Sequence, residues 1–187
     1  MDPQLALWVL ARAAGIASYA ALCIGMLTGL ALRTTVLDFL AEKKPIRALH
    51  DFTAWIWLPF GVAHVVGLIL DKTARISVVD AFVPFLASYG QLAIGLGTLS
   101  LDLMVLVVVT SWLRKRMDVN LWRAIHRLSY GAFALAFAHS VLAGTDFGAP
   151  LIAGLSWASA AGLAYLTVVR LRFGPPRERA SRPASHG

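Results

Sequence analysis

Five apolar runs divide the chain, near residues 5–32, 48–70, 91–113, 121–142 and 150–169, with short polar stretches between them. At 1.5 Å of rise per residue each is long enough to cross about 30 Å of hydrocarbon. The pattern predicts an all-α integral membrane bundle of about five transmembrane helices. Between the second and third runs lies VVDAFVPFLASY, apolar but too short to span and interrupted by Pro84. It reads as an interfacial or re-entrant lid. The last stretch, FGPPRERASRPASHG, is rich in Pro, Arg and Ser and reads as a disordered basic tail.

Composition agrees with the runs. Of 187 residues 58% are hydrophobic and the mean hydropathy is +0.70, above the roughly 50% of soluble domains. The net charge of +7 does not signal nucleic acid, because the cations lie in short loops and the tail. Arg33, Lys43, Lys44 and Arg47 follow the first run, and Arg114, Lys115 and Arg116 the third. Arg170, Arg172, Arg177, Arg179 and Arg182 follow the fifth, whereas the second loop has only Lys72 and Arg75. The positive-inside rule then places the N-terminus outside the plasma membrane and the C-terminus in the cytoplasm. The lid falls on the outer face. The N-terminal run is about twice the length of a signal-peptide core and lacks a basic leader.

Four histidines lie on two of the runs. His50 and His64 are fourteen residues apart on the second, and His126 and His139 are thirteen apart on the fourth. Polar side chains at membrane depth are costly and mark function. A single histidine has a plainer reading, as an interhelical hydrogen bond or a headgroup-level residue. Four at matched depths are more specific, because neutral imidazole is an axial ligand for haem iron. A bis-histidine haem takes one imidazole from each of two facing helices, and two stacked haems repeat the pair. His50 with His126, and His64 with His139, meet this on parallel helices, about 20 Å apart in depth. Fourteen residues return His64 to within about 40° of His50, but thirteen leave His139 about 140° from His126 in a straight helix. Helix four must therefore depart from ideality, with Gly131 a candidate position, or the haems must use differently angled faces. Pro59 is expected to kink helix two. No CxxCH is present, which excludes covalent haem.

Around these ligands stand further candidates. Arg47, Arg123 and Arg127 lie beside the cytoplasmic-end histidines and either pair with haem propionates or are simple positive-inside charges. Arg12, deep for a charge, either snorkels outward or meets an outer propionate. Phe60, Phe133 and Phe137 lie between the ligand levels, as packing or as filling between haems. Asp102 sits mid-run, where a charged carboxylate is expensive, so it is expected to be protonated, hydrogen-bonded or beside water, with a proton-handling role open. Gly25, Gly29, Gly95, Gly97 and Gly131 read as close helix contacts, some leaving room for porphyrin. Cys23 reads as a small buried residue, and His186 in the tail as no ligand.

With these residues in view, LWRAIHRLSY…FAHSVLAGTD resembles the haem-binding helix of ferric-reductase-like transmembrane domains. That family includes the membrane parts of NADPH oxidases, ferric reductases and the haem subunit of the periplasmic methionine sulfoxide reductase system. The opening LARAAGIASYAALCIGMLTGL and the middle DAFVPFLASYGQLAIGLGTLSLDLMVLVVVTSWLRKRM are similar to bacterial stand-alone members, so the likeness runs from Trp8 to about Asp146. It implies that His50, His64, His126 and His139 are axial ligands of two non-covalent b haems. NADPH oxidases continue into a flavin and nicotinamide domain. Here about fifteen residues follow the fifth run, and no GxGxxG follows a strand. The donor is therefore expected to be a separate flavoprotein or a quinol.

The expected organisation is a transmembrane haem-binding domain over 1–172 and a cytoplasmic tail over 173–187. The expected function is electron transfer across the membrane, from a cytoplasmic reductant to ferric iron, oxygen or a partner protein outside. Two rivals stand beside it: a quinone-linked cytochrome b anchor of a respiratory complex, and a non-redox transporter or assembly factor.

Overall fold

The computed structural model describes residues 2–34 and 42–173. All its regular elements are helical: α1 (Pro3–Ala31), α2 (Lys43–Leu70), α3 (Gln91–Trp112), α4 (Val119–His126), α5 (Leu128–Ala143) and α6 (Pro150–Phe173). The tail beyond Phe173, with His186, lies outside the described residues.

Local chemistry sets the helix starts. Asp2 caps α1 by accepting from the Gln4 amide at 3.0 Å, and Pro3 supplies a first-turn residue that needs no N–H donor. Asp118 caps α4 through the amides of Asn120 and Leu121, both at 3.0 Å. Gly90 turns the chain into α3 with φ of 57°, a conformation costly for a side chain. Pro59 lies inside α2, which remains one continuous helix.

Among the described residues four helices are long and apolar enough to cross a membrane: α1, α2, α3 and α6. The protein is a multi-pass membrane protein. The fourth expected span is divided. Its residues form α4 and α5, which meet at Arg127, and the turn tightens there. The Arg127 amide reaches Arg123 O at 3.3 Å, and the Tyr130 amide bonds Arg127 O, three residues back, at 3.2 Å. A turn with 3₁₀ winding advances each residue by about 20° more than an α-turn. This one tightened turn brings His126 and His139 rotationally closer than the about 140° of a straight helix. The departure from ideality therefore falls at Arg127, four residues before Gly131. Gly131 lies within regular α5, with nothing within 4 Å of an added Cβ.

The bundle is built from two close helix pairs. α1 packs along α2 and α3 along α5, while α2 and α5 make almost no close backbone contact. A buried cluster of Leu22, Met26, Leu30, Trp57, Met104, Val108 and Phe133 joins the pairs, with Leu163 and Leu166 of α6. Large apolar side chains point outward along the helices, as at Leu10, Leu151 and Leu171. That is the surface expected where lipid is the solvent.

The segment between α2 and α3 folds as turns without a helix. Thr98 on α3 donates to Asp80 O at 3.0 Å, and the Gln91 side chain to Phe85 O at 2.7 Å. Ala81 and Ala87 are buried beneath it, while Val78, Phe82, Leu86 and Tyr89 are exposed. An anchored, outwardly apolar cap is what an interfacial lid requires.

Candidate haem-binding site

The space between α2 and the α4–α5 pair is bridged by imidazoles at two levels. The His50 and His126 ring centroids are 6.3 Å apart with planes at 73°. Those of His64 and His139 are 6.5 Å apart with planes at 72°. Pairing at both levels requires α2 and α5 to run parallel, as expected. The fourteen residues between His50 and His64 put the levels about 21 Å apart.

Three of the four imidazoles are oriented by backbone. His64 Nδ1–H donates to Ala11 O at 2.8 Å, His50 Nδ1–H to Gly25 O at 2.8 Å, and His139 Nδ1–H to Ala93 O at 2.7 Å. A carbonyl only accepts, so each bond fixes the proton on Nδ1 and leaves the Nε2 lone pair free. His126 Nδ1 faces Ser111 Oγ at 3.4 Å, and its ring stacks on Trp122 at 5.2 Å between centroids.

Glycines admit these rings. A Cβ at Gly15 would lie 2.8 Å from His64 Nδ1, one at Gly97 2.7 Å from His139 Nδ1, and one at Gly29 3.2 Å from His50 Cε1. Gly97 and Gly29 were candidates from sequence for such close approach. Gly15 was not, although Gly15 and Gly29 stand fourteen apart, the same interval as His50 and His64 on antiparallel α2. Gly25 instead faces Thr53 and Gly95 faces Phe85.

The residues fit haem. Two metal–nitrogen bonds of about 2 Å, with roughly 1.1 Å from each nitrogen to its ring centroid, place the centroids of two axial imidazoles about 6 Å apart. Both pairs stand close to that spacing. Among the described residues no group of three or more His, Cys, Asp or Glu gathers to hold a bare metal ion. Two facing imidazoles suit a metal that brings its own equatorial ligands.

The other candidates separate. Phe133 is buried midway between the levels, stacked on Tyr19 with centroids 6.1 Å apart, and Trp57 is buried at the same depth on α2. Phe60 is exposed and Phe137 packs edge-on against Trp157 of α6. Tyr19 and Trp57 escaped the sequence reading, having no polar signal to mark them. Arg47, Arg123 and Arg127 are exposed at the His50–His126 end, with Arg127 Nε donating to Arg123 O at 3.2 Å. Arg33, at the end of α1, lies within Coulombic reach of His126. Arg12 does not stand alone. Its fork grips Asp146, with Nε donating to Oδ2 at 2.8 Å and Nη2 to Oδ1, and its guanidinium lies 4.0 Å from the Trp8 ring centroid. Desolvation near the membrane favours this internal partner. Asp102 is half-buried, and no side-chain hydrogen bond reaches it from the described residues. Cys23 is buried, as expected.

Comparison with known families decides the relationship. The ferric reductase like transmembrane component family matches residues 14–137, 124 of the chain's 187 residues. The chain belongs to this family. The match includes His50, His64 and His126 and stops two residues before His139. No curated protein and no solved structure was found to match the chain. As a ferric-reductase-like transmembrane component it is an oxidoreductase-family membrane domain, which implies membrane electron transfer.

Proposed function

We propose that this ferric-reductase-like component conducts electrons across the membrane through two b haems, one between His50 and His126 and one between His64 and His139. The observation that carries the reading is the double imidazole pair, spaced for an iron at each of two depths. Haem iron, when bound, supplies a one-electron couple that needs no proton donor. The chain's own contribution is to hold the imidazoles by Nδ1, to set their spacing along α2 and α5, and to exclude water. Phe133, Tyr19 and Trp57 fill the interior between the levels. Arg33, Arg47, Arg123 and Arg127 offer propionate partners at one end.

The loop cations put the His50–His126 end in the cytoplasm. Electrons then enter from a separate flavoprotein or a quinol and leave to ferric iron, oxygen or a partner protein. Outward electron movement is favoured by an inside-negative potential, by about 2.3 kcal/mol per 100 mV for a full crossing. The test is haem stoichiometry of the purified chain by pyridine haemochrome with reduced-minus-oxidised spectra. Two low-spin b haems per chain are expected. One haem would remove one level from the proposal, and none would refute it.

A further inference from the structure

Three of the four ligands share one backbone device. A carbonyl at position i accepts from Nδ1, and a glycine at i+4 opens the way to it. The pairs are Ala11 and Gly15 for His64, Gly25 and Gly29 for His50, and Ala93 and Gly97 for His139. On α1 the two devices are fourteen residues apart. The same step along α3, from Ala93 and Gly97, arrives at Val107 and Ser111. There the device is altered. Ser111 Oγ–H donates to Val107 O at 2.7 Å, the carbonyl that the repeat would offer to His126. Its oxygen then faces His126 Nδ1 at 3.4 Å and the Trp122 indole N–H at 3.5 Å. Normal N–H···O bonds lie at about 2.7–3.2 Å. His126 therefore has only a long, shared contact to a hydroxyl where the others have short bonds to carbonyls; His50 also lies 3.4 Å from the Thr28 hydroxyl, but beside its carbonyl bond.

We infer that Ser111 is a positioning residue that makes the His50–His126 haem the higher-potential one of the two. The inference rests on the haem reading above. A strong acceptor on Nδ1–H makes an imidazole more basic and a better donor to ferric iron, which lowers the reduction potential. The His64–His139 level has two such acceptors. The other level has one, because Ser111 stands where a glycine would open the way to Val107 O and sets its hydroxyl between that carbonyl and His126.

Two substitutions at this one position are expected to act with opposite sign. Ser111→Gly removes the Cβ and leaves on Val107 O only the longer Thr110 hydroxyl bond at 3.2 Å, as Gly25 O carries one from Thr28 at 3.0 Å beside its bond to His50, so the device is restored and the potential of this haem falls. Ser111→Ala removes the hydroxyl but keeps the Cβ in the way, leaving Nδ1–H without an acceptor, so the potential rises. The measurement is an equilibrium redox titration of the purified, haem-loaded full chain, followed in the α-band. A His64→Ala background isolates the wave of the His50–His126 haem. Shifts down for Gly and up for Ala, with the other haem's wave unmoved in the parent background, support the assignment. No shift, or shifts of the same sign, overturn it. If Ser111→Ala sheds the haem, Ser111→Gly decides alone: a downward shift supports, and no shift or an upward one overturns. A parent chain without haem refutes the proposed function itself, whereas two haems with unshifted waves refute only the role of Ser111.

Discussion

The two histidine levels have the same ligand type and nearly the same spacing, but they are built differently. At the His64–His139 level both rings are held by carbonyls and admitted by glycines. The turns between α2 and α3 fold over that end, and the Arg12–Asp146 pair ties α1 to the turn before α6 beside it. At the His50–His126 level one ring is held by a carbonyl and the other by a hydroxyl. Tryptophans gather there, with Trp122 on His126 and Trp55 stacked on Trp112 at 5.5 Å, and the surrounding side chains include exposed arginines. Ligand identity alone therefore says little about how the two sites differ. Their acceptors and nearby charges are what would separate two otherwise equal haems.

The largest effects should come from breaking one level and leaving the other. His64→Ala and His139→Ala are expected to remove one haem of two, and His50→Ala and His126→Ala the other, each seen as loss of half the haem content. If all four variants kept the parent content and spectrum, the ligand assignment would fail. Gly97→Ala should act like a ligand loss at its own level, because the new Cβ would lie 2.7 Å from His139 Nδ1.

Much of this comparison was readable from sequence. The apolar runs predicted α1, α2, α3 and α6 to within a few residues, because a membrane helix needs length and apolarity above all. The histidine pairs followed from depth alone. The break at Arg127 did not, since it depends on one tightened turn and no proline or glycine marks it. Carbonyl acceptors are invisible in a sequence, but their glycines are not: the interval from Gly15 to Gly29 equals that from His50 to His64. The partner of Arg12 lies 134 residues away and needed the fold to find it.

A middle-sized effect is expected at that ion pair, where the two side chains are each 27% exposed. Charge-assisted hydrogen bonds of this kind contribute about 1.5–3 kcal/mol. Arg12→Gln and Asp146→Asn should each lower the thermal unfolding midpoint in detergent. The double variant should cost much less than the sum of the two, because either change alone breaks the pair. Additive losses would show that the two residues act separately. The His50–His126 haem spectrum should not change in any of them, since the pair serves the opposite end.

The smallest effect should be the acid response of the cap over the His64–His139 end. Asp80 Oδ2 accepts from the Ser77 amide at 2.8 Å and from the Ser77 hydroxyl at 2.7 Å. These bonds hold the Asp80 carboxyl below its ordinary range. A value lower in the folded than in the unfolded chain means the carboxylate stabilises the turn above the unfolded value, near about pH 4, and the gain is lost as pH falls through the folded one. Asp80 lies at the surface, partly exposed, so solvent weakens the effect and global stability should barely change. What should change is local. Amide exchange in the turns between α2 and α3 should quicken below about pH 4 in the parent chain. In Asp80→Asn exchange there should be faster from the start and indifferent to acid. An acid response that survived Asp80→Asn would place its origin elsewhere. One that reached the haem at the His50–His126 level would show that the two ends are coupled through the bundle, contrary to their separate construction.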